Sequence, residues 1–205
     1  MSEKQHWERV YTTGAPDTLG WYKSHLETPL AWIDELALSV ESPVMDAGGG
    51  ASTLVDDLLK RGYEDITVLD ISSTALAIAR ERLGSGASLV SWVEGDITSV
   101  ELPRHRFALW HDRAVFHFLT TASQRHKYVQ QLRNALWPDG YLILGVFSHE
   151  APPKCSGLPV QRYGPDDLLK VLGSDWIMLR TARELHVTPS GVEQMYLYCQ
   201  LRHAD

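Results

Sequence analysis

From Pro43 onward, short runs of aliphatic and β-branched residues alternate with longer stretches in which apolar residues return every three or four positions. The first pattern has the period of a strand and the second that of a helix. Strands are predicted near Val44–Asp46, Ile66–Asp70, Leu89–Glu94, Phe107–His111 and Tyr141–Phe147, with helices near Ser52–Arg61, Thr74–Leu83 and Ser123–Leu136. In the last helix Tyr128, Val129, Leu132, Ala135 and Leu136 share one stripe, and Pro138-Asp139-Gly140 supplies the stop and turn. After Phe147 comes a segment rich in proline and glycine, H-E-A-P-P-K-C-S-G-L-P, with the length of a functional loop. A short helix over Pro165–Leu172 leads to two long β-type runs, Trp176–His186 and Glu193–Arg202, joined by T-P-S-G as in a hairpin. Alternating strands and helices predict an α/β fold: a doubly wound, mostly parallel sheet with helices on both faces and an antiparallel hairpin at one edge.

The segment before Pro43 breaks this rhythm and is rich in aromatics: Trp7, Tyr11, Trp21, Tyr22 and Trp32. Residues 1–42 are therefore expected to form an arm or lid with a first helix, and residues 43–205 the main body of a single domain. A chain of 205 residues, 44% hydrophobic, can bury a substantial core without staples. No stretch approaches the roughly 20 apolar residues of a membrane span. The first residues, M-S-E-K-Q-H-W-E-R, lack the apolar core of a secretory leader, so a cytoplasmic location is expected. The two distant cysteines, Cys155 and Cys199, fit a reducing compartment. A formal charge of −7 argues against a nucleic-acid backbone as main partner. A monomer or weak homodimer is expected.

The most informative stretch is V-M-D-A-G-G-G-A-S-T-L, from Val44 to Leu54. A strand ends in an acid, and glycines then let the backbone turn sharply and approach a ligand in front of a helix N-terminus. Asp46, Asp70 and Asp96 each lie at or just past a strand's carboxyl end, where open α/β sheets bind ligands. Asp70, in V-L-D-I-S, suits a ribose diol, and Asp96, in E-G-D-I-T, falls where an adenine would lie. A nicotinamide dinucleotide competes for the same features. Its G-x-G-x-x-G pattern, however, needs a third glycine where this chain has Thr53. Asp46 beside the turn would also repel phosphates while suiting an ammonium or sulfonium. A positively charged cofactor without phosphate fits better, and S-adenosylmethionine has both properties.

On these residues the chain resembles the class I S-adenosylmethionine-dependent methyltransferases. D-A-G-G-G-A-S (Asp46, Ala47, Gly48, Gly49, Gly50, Ala51, Ser52) is similar to that family's glycine motif, Asp70 to its ribose-binding acid and Asp96 to its adenine-flanking acid. The resemblance spans roughly residues 43 to 202 and implies a seven-stranded sheet with the last strand inserted antiparallel. It implies that Ile71 and Ile97 pack against adenine, and that the arm's Trp7, Tyr11, Trp21 and Tyr22 line the pocket as a lid, where aromatic faces attract a sulfonium. It also places the segment after the fourth strand, His111, Asp112, Arg113 and His117, beside the methyl donor. Cys155 and Tyr163 are further substrate contacts expected from the loop after the fifth strand. Each has a structural alternative: His111 as backbone only, Arg113 paired to a carboxylate, His117 capping or packing, Cys155 as an ordinary loop residue, the aromatics as core.

Methyl transfer from a sulfonium is an in-line displacement, so positioning and exclusion of water carry much of the catalysis. An O or N acceptor needs a base, for which Asp112, His111 or His117 are the candidates, while a thiol needs less help. No metal is expected, because His111, His117 and His126 match no ligand spacing. With no added recognition domain and an aromatic cover, a small or compact acceptor is expected, the product cofactor being S-adenosylhomocysteine. W-x-x-x-Y and W-Y in the arm also resemble protein-lysine methyltransferases, but D-R-A-V-F-H after the fourth strand departs from them. An NAD(P)-binding oxidoreductase and a catalytically silent cofactor-binding protein are the alternatives from other classes.

Overall fold

In the computed structural model, which describes residues 2–204, the alternation of the sequence closes into one seven-stranded sheet. In chain order the elements are α1 (Glu3–Thr13), α2 (Glu27–Leu36), β1 (Val44–Ala47), α3 (Leu54–Lys60), β2 (Ile66–Asp70), α4 (Ser73–Leu83), β3 (Val90–Glu94) and β4 (Phe107–Arg113). These are followed by α5 (Ala122–Ala135), β5 (Leu136–Phe147), the short β6 (Lys154–Cys155) and β7 (Leu158–Pro159), α6 (Pro165–Leu172), β8 (Trp176–Val187) and β9 (Glu193–His203). The sheet order is β3-β2-β1-β4-β5-β9-β8. The first five strands run parallel, and β9 is antiparallel to both β5 and β8. The seven-stranded sheet with an antiparallel insertion is as expected.

Alternation within the buried strands explains the two helical layers. Met45, Ala47, Leu69, Trp110 and Leu144 face one way and pack with Tyr128 and Leu132 of α5 and Leu168 and Leu172 of α6. Val44, Val68, Leu109 and Ile143 face the other way and pack with Trp32 and Ile33 of α2 and Leu54 and Leu58 of α3. Strand order reverses between β1 and β4, so the carboxyl ends of these two strands diverge around a crevice.

Three local differences from the sequence reading bear on the site. Residues 3–13, within the segment expected to be an arm with a first helix of unassigned bounds, form α1, started by a capping box between Ser2 and Gln5. It places Trp7, Val10 and Tyr11 inward against Leu19, Ala51 and Ala75. β4 runs two residues past His111, because Leu144 and Gly145 of β5 pair with Asp112 and Arg113. β5 begins at Leu136, and Pro138-Asp139-Gly140 is an irregularity inside it, with Asp139 at φ 59° and the register jumping between Phe107 and Leu109.

α5 was the clearest helix of the sequence, and the fold rests on its stripe. Leu132 is fully buried between sheet and helix. Leu132→Ala is expected to lower the unfolding free energy by about 2–5 kcal/mol, through lost burial and the cavity it leaves. Urea unfolding with an unchanged m-value checks this, and a loss below about 1 kcal/mol would mean the stripe is not the core of that layer.

Candidate active site

The glycine turn is closed by side chains rather than left open. Gly48 and Gly49 donate to the Leu69 carbonyl at 2.7 and 3.2 Å, tying the turn to β2. Gly48 and Gly50 have φ of 69° and 24°, a region that favours glycine. A Cβ at Gly48 would enter the Val115 side chain, one at Gly49 the Asp46 carboxylate, and one at Gly50 the Asp70 carboxylate. The turn is therefore a backbone cradle pressed between two acids.

Two connected chambers open onto this cradle. The smaller, about 480 Å³, is lined by Tyr22, Lys23, Asp46, Gly49, Ser52 and His111 among others. There Asp46 Oδ1 lies 2.7 Å from His111 Nδ1, both residues being buried. Asp46 Oδ2 and His111 Nε2 are buried with no protein partner, as a site for a polar group with donors requires. The larger chamber, about 790 Å³ with its open mouth included, is lined by Asp70, Ile71, Asp96, Ile97, Val115 and Phe118, with Trp7, Tyr11, Trp21 and Cys155 above. Asp70 accepts from the Ser72 N–H at 2.8 Å. Burial pushes its carboxyl up to about 7 against that donor, and the charges of Asp46 and Glu8 push the same way. Asp96 accepts from the Thr98 N–H and hydroxyl, both at 2.8 Å.

Of the side chains expected beside the methyl donor, His111 and Arg113 line the chambers, whereas Asp112, His117 and Tyr163 do not. Asp112 is fully buried beneath them, accepting from the N–H groups of Val115 and Phe116 at 2.9 and 3.2 Å and from the Tyr128 hydroxyl at 2.5 Å. Burial raises its carboxyl to about 6 against these donors. His117 is buried between Phe118 and Phe147, and its Nδ1 accepts the Phe147 N–H at 3.2 Å. Burial, with the nearby Arg113 cation, lowers it to about 3, so the ring is neutral. Tyr163 packs on Phe116 in the core and lines neither chamber. Arg113 lines both. Its Nε donates to the Tyr198 hydroxyl at 2.9 Å, its Nη1 to the Trp21 carbonyl at 2.7 Å, and its guanidinium lies 4.4 Å from the Tyr196 ring centroid.

The roof is an aromatic cluster. Trp21 meets Trp7 and Tyr11 edge-on at 5.6 and 5.7 Å, and Trp7 meets Phe118 at 5.0 Å. Glu8 latches α1 across the start of α4, accepting from the N–H and hydroxyl groups of both Ser73 and Thr74. Burial opposes its charge, but those donors hold its carboxyl down to about 2. Lys4 bonds Glu94, and Glu3 accepts from Gln124. The Cys155 thiol is buried at the chamber wall and pushed up by that burial, against Ser156 and Arg113. The turn at Ser156 and Gly157, with φ of 52° and 80°, brings it there from β6. Lys23 and Glu8 were missed by the sequence reading. Nothing local marks Lys23, whereas Glu8 one helical turn from a capping box carried a weak signal of an ordered helix. Among the described residues no group of three or more His, Cys, Asp or Glu is placed to hold a metal ion, and no helix is long and apolar enough to cross a membrane.

A crevice at the switch point of a sheet in which the final strand is inserted antiparallel, cradled by glycine and edged by an acid at ribose height, defines the class I S-adenosylmethionine-dependent methyltransferases. The fold of this chain is that of the class, and its site has the features such a cofactor requires. A methyltransferase-domain family model matches residues 44–140. Among curated proteins, the eEF1A lysine and N-terminal methyltransferase of Bos taurus is 27% identical over 138 residues, 67% of this chain but 19% of that protein's length. The EEF1A lysine methyltransferase 2 of Mus musculus is 19% identical, covering 70% of this chain and 65% of its own. Among solved structures, one described for conversion of a disulfide bond into a thioacetal group during echinomycin biosynthesis superposes with TM-score 0.81 at 16% identity, covering 99% of this chain and 93% of that one. The 1,6-didemethyltoxoflavin-N1-methyltransferase of Burkholderia thailandensis, solved with S-adenosylhomocysteine, superposes with TM-score 0.71 at 18% identity, covering 98% and 84%. These structural likenesses show the fold.

The elevated Asp70 gives a signed prediction for the cofactor-free protein. Its folded pKa of about 7 lies above the usual 3.8, so its contribution to stability is full below pH 4 and is lost as pH rises through 7. Relative to Asp70→Asn, which does not titrate, the wild-type protein is expected to lose about 2–4 kcal/mol between pH 4 and 8. Paired thermal melts across that range check it, and a pH-independent difference would refute it.

Proposed function

We propose that the protein transfers a methyl group from S-adenosylmethionine to a small, compact acceptor bound beneath α1. The observation that carries this reading is the roof. Trp7, Tyr11 and Trp21, all from the same chain, cover part of the chamber where Arg113 and Cys155 meet it, leaving a partly open space of small-molecule size. In this reading Asp46, oriented by His111, holds the amino group of the cofactor, with Lys23 and Ser52 beside its carboxylate. Asp70 takes the ribose diol, while Asp96, Ile71, Ile97 and Phe118 enclose the adenine. Bound S-adenosylmethionine supplies an activated methyl carbon with a neutral thioether as leaving group. The chain contributes orientation and a dry, aromatic environment, in which cationic charge is stabilised by about 0.5–2 kcal/mol. Arg113, Cys155, Trp7 and Tyr11 then face the acceptor. Asp112 and His117 are engaged by backbone groups away from the chambers, so we assign them to positioning the β4 end.

A second reading, protein-lysine methylation, is favoured by the names of the eEF1A-methylating relatives. The two separate in one experiment. Calorimetry is expected to show S-adenosylhomocysteine binding and no NAD binding. Asp70→Ala is expected to weaken that binding about 10- to 100-fold, from lost charge-assisted hydrogen bonds. S-adenosylhomocysteine release from the methyl donor is then measured with a panel of small thiols, acids, phenols and amines, and with elongation-factor protein. Turnover on the protein alone would replace the small-acceptor reading, and tight NAD binding would end the methyltransferase one.

A further inference from the structure

We propose that Arg113 reads a negative charge on the acceptor, and that the enzyme methylates small acids, carboxylates or thiolates, whose nucleophile arrives already ionised. The inference rests on the small-acceptor reading above and names its substrate class. Three of the guanidinium's attachments are fixed: Nε to Tyr198, Nη1 to the Trp21 carbonyl, and its face to Tyr196. Its Nη2 is buried and has no partner. No carboxylate pairs with it among the described residues. Glu184, whose charge favours the guanidinium, is itself bonded to Lys23 at 2.8 Å and Thr28 at 2.6 Å. A buried cation held rigid, with one donor edge open and no counter-ion, is costly unless an anion completes it. Such an edge is suited to an oxyanion or thiolate.

The missing anion has two sources, the cofactor's own carboxylate and the acceptor. Lys23 lines only the smaller chamber with Asp46, which suits the amino-acid end of the cofactor, whereas Arg113 stands where the two chambers join. The chemistry agrees with an acceptor anion. His111 is bonded through Nδ1 to Asp46, Asp112 to two N–H groups and Tyr128, and His117 to the Phe147 N–H; of these only His111 keeps an open ring nitrogen, and it faces the smaller chamber, so none of the three lines the larger chamber as a base. An ionised acceptor needs none. Its lone pair forms the bond to the methyl carbon as the carbon–sulfur bond breaks and that electron pair stays on sulfur; the anionic and cationic charges cancel, and no proton moves.

The test begins with binding, without turnover. Wild-type protein saturated with S-adenosylhomocysteine is titrated with small aromatic and aliphatic carboxylates and thiols, and with the matching amides, alcohols and amines, using calorimetry or quenching of tryptophan fluorescence. Acids or thiolates are expected to bind at least about 10-fold tighter than their neutral analogues, as one charge-assisted hydrogen bond allows. Arg113→Gln is expected to erase that discrimination while changing S-adenosylhomocysteine affinity less than about 3-fold, and Arg113→Lys to restore part of it. In turnover with S-adenosylmethionine, the pH at half-maximal kcat/KM is expected to follow the pKa of the acceptor across the panel, and the carboxylate and thiol arms show which anion is used. Equal binding of amides and acids by the wild-type protein overturns the proposal, even if the Arg113 variants fail to fold. So does a 10-fold loss of S-adenosylhomocysteine affinity in Arg113→Gln with acid discrimination unchanged, which would give Arg113 to the cofactor. Preferred turnover of amines overturns it as well. Failure of wild-type protein to bind S-adenosylhomocysteine at all would fall instead on the underlying methyltransferase reading.

Discussion

Everything at the cofactor end depends on three consecutive positions having no Cβ. With side chains at Gly48, Gly49 and Gly50, the turn could not sit between the Asp46 and Asp70 carboxylates and against Val115. Because it does, two acids converge on one crevice at the strand ends, and burial together with their mutual repulsion lifts Asp70 to about 7. In the cofactor-free protein this is a destabilising arrangement, stored where function needs it. On the proposed assignment, a ligand that brings a cationic group to Asp46 and a diol to Asp70 would relieve both, and S-adenosylmethionine would do so without adding a phosphate. The same constraint thus explains the selection of the cofactor and a cost in stability when it is absent.

The cover over that crevice is held at both ends by polar contacts to the body. Glu8 binds the four donors that open α4, a helix N-terminus that favours an anion there. At the far end of the arm, the Trp21 carbonyl accepts from Arg113 on β4. Between these ties the contacts are aromatic, through Trp7, Tyr11, Trp21 and Phe118. Arg113 therefore joins roof, β4 and β9 through Trp21, its own strand and Tyr198. Its position couples the closure of the arm to the shape of the acceptor space, and an acceptor that engages Nη2 would complete the same network.

The sheet was legible in the sequence because each of its strands is a short apolar run and its crossovers carry helical period. Asp46, Asp70 and Asp96 were legible because strand ends are where such sheets bind. What the sequence hid depends on contacts between distant segments. The helicity of α1 was obscured by its charged outer face, and only the fold brings its inner Trp7, Val10 and Tyr11 against Leu19, Ala51 and Ala75. The orientation of the D-R-A-V-F-H segment could not be read from one strand. Pairing of Asp112 and Arg113 with β5 extends β4 and sends neighbouring side chains to opposite faces, Asp112 toward Tyr128 in the core and Arg113 toward the chambers. His117 and Tyr163 looked chemical by residue type, yet they lie in the hydrophobic layers. Lys23 enters the site only because Thr53, at the head of α3, hydrogen-bonds its carbonyl at 2.9 Å.

That split between Asp112 and Arg113 decides what kind of nucleophile the junction tolerates. On the proposal, a lysine ammonium, or any amine protonated at neutral pH, would have to shed its proton beside a guanidinium. At about 4–5 Å, two unit positive charges repel by roughly 3–4 kcal/mol at an effective dielectric near 20. The eEF1A-methylating relatives match 67–70% of the chain at 19–27% identity, and the domain model over residues 44–140 takes in the glycine turn, Asp70, Asp96 and the β4 end. The proposed acceptor half is built from α1, the end of β4 and the β6–β7 turn, and there the Arg113 Nη2 is a buried charged donor without a partner among the described residues. On the proposal, an acid would meet that donor with its charge neutralised and its lone pair exposed, whereas a protonated amine would meet it as a second cation. If Arg113 reads the acceptor's charge as proposed, the electrostatics of one arginine would separate this site from a lysine-methylating one more sharply than the fold.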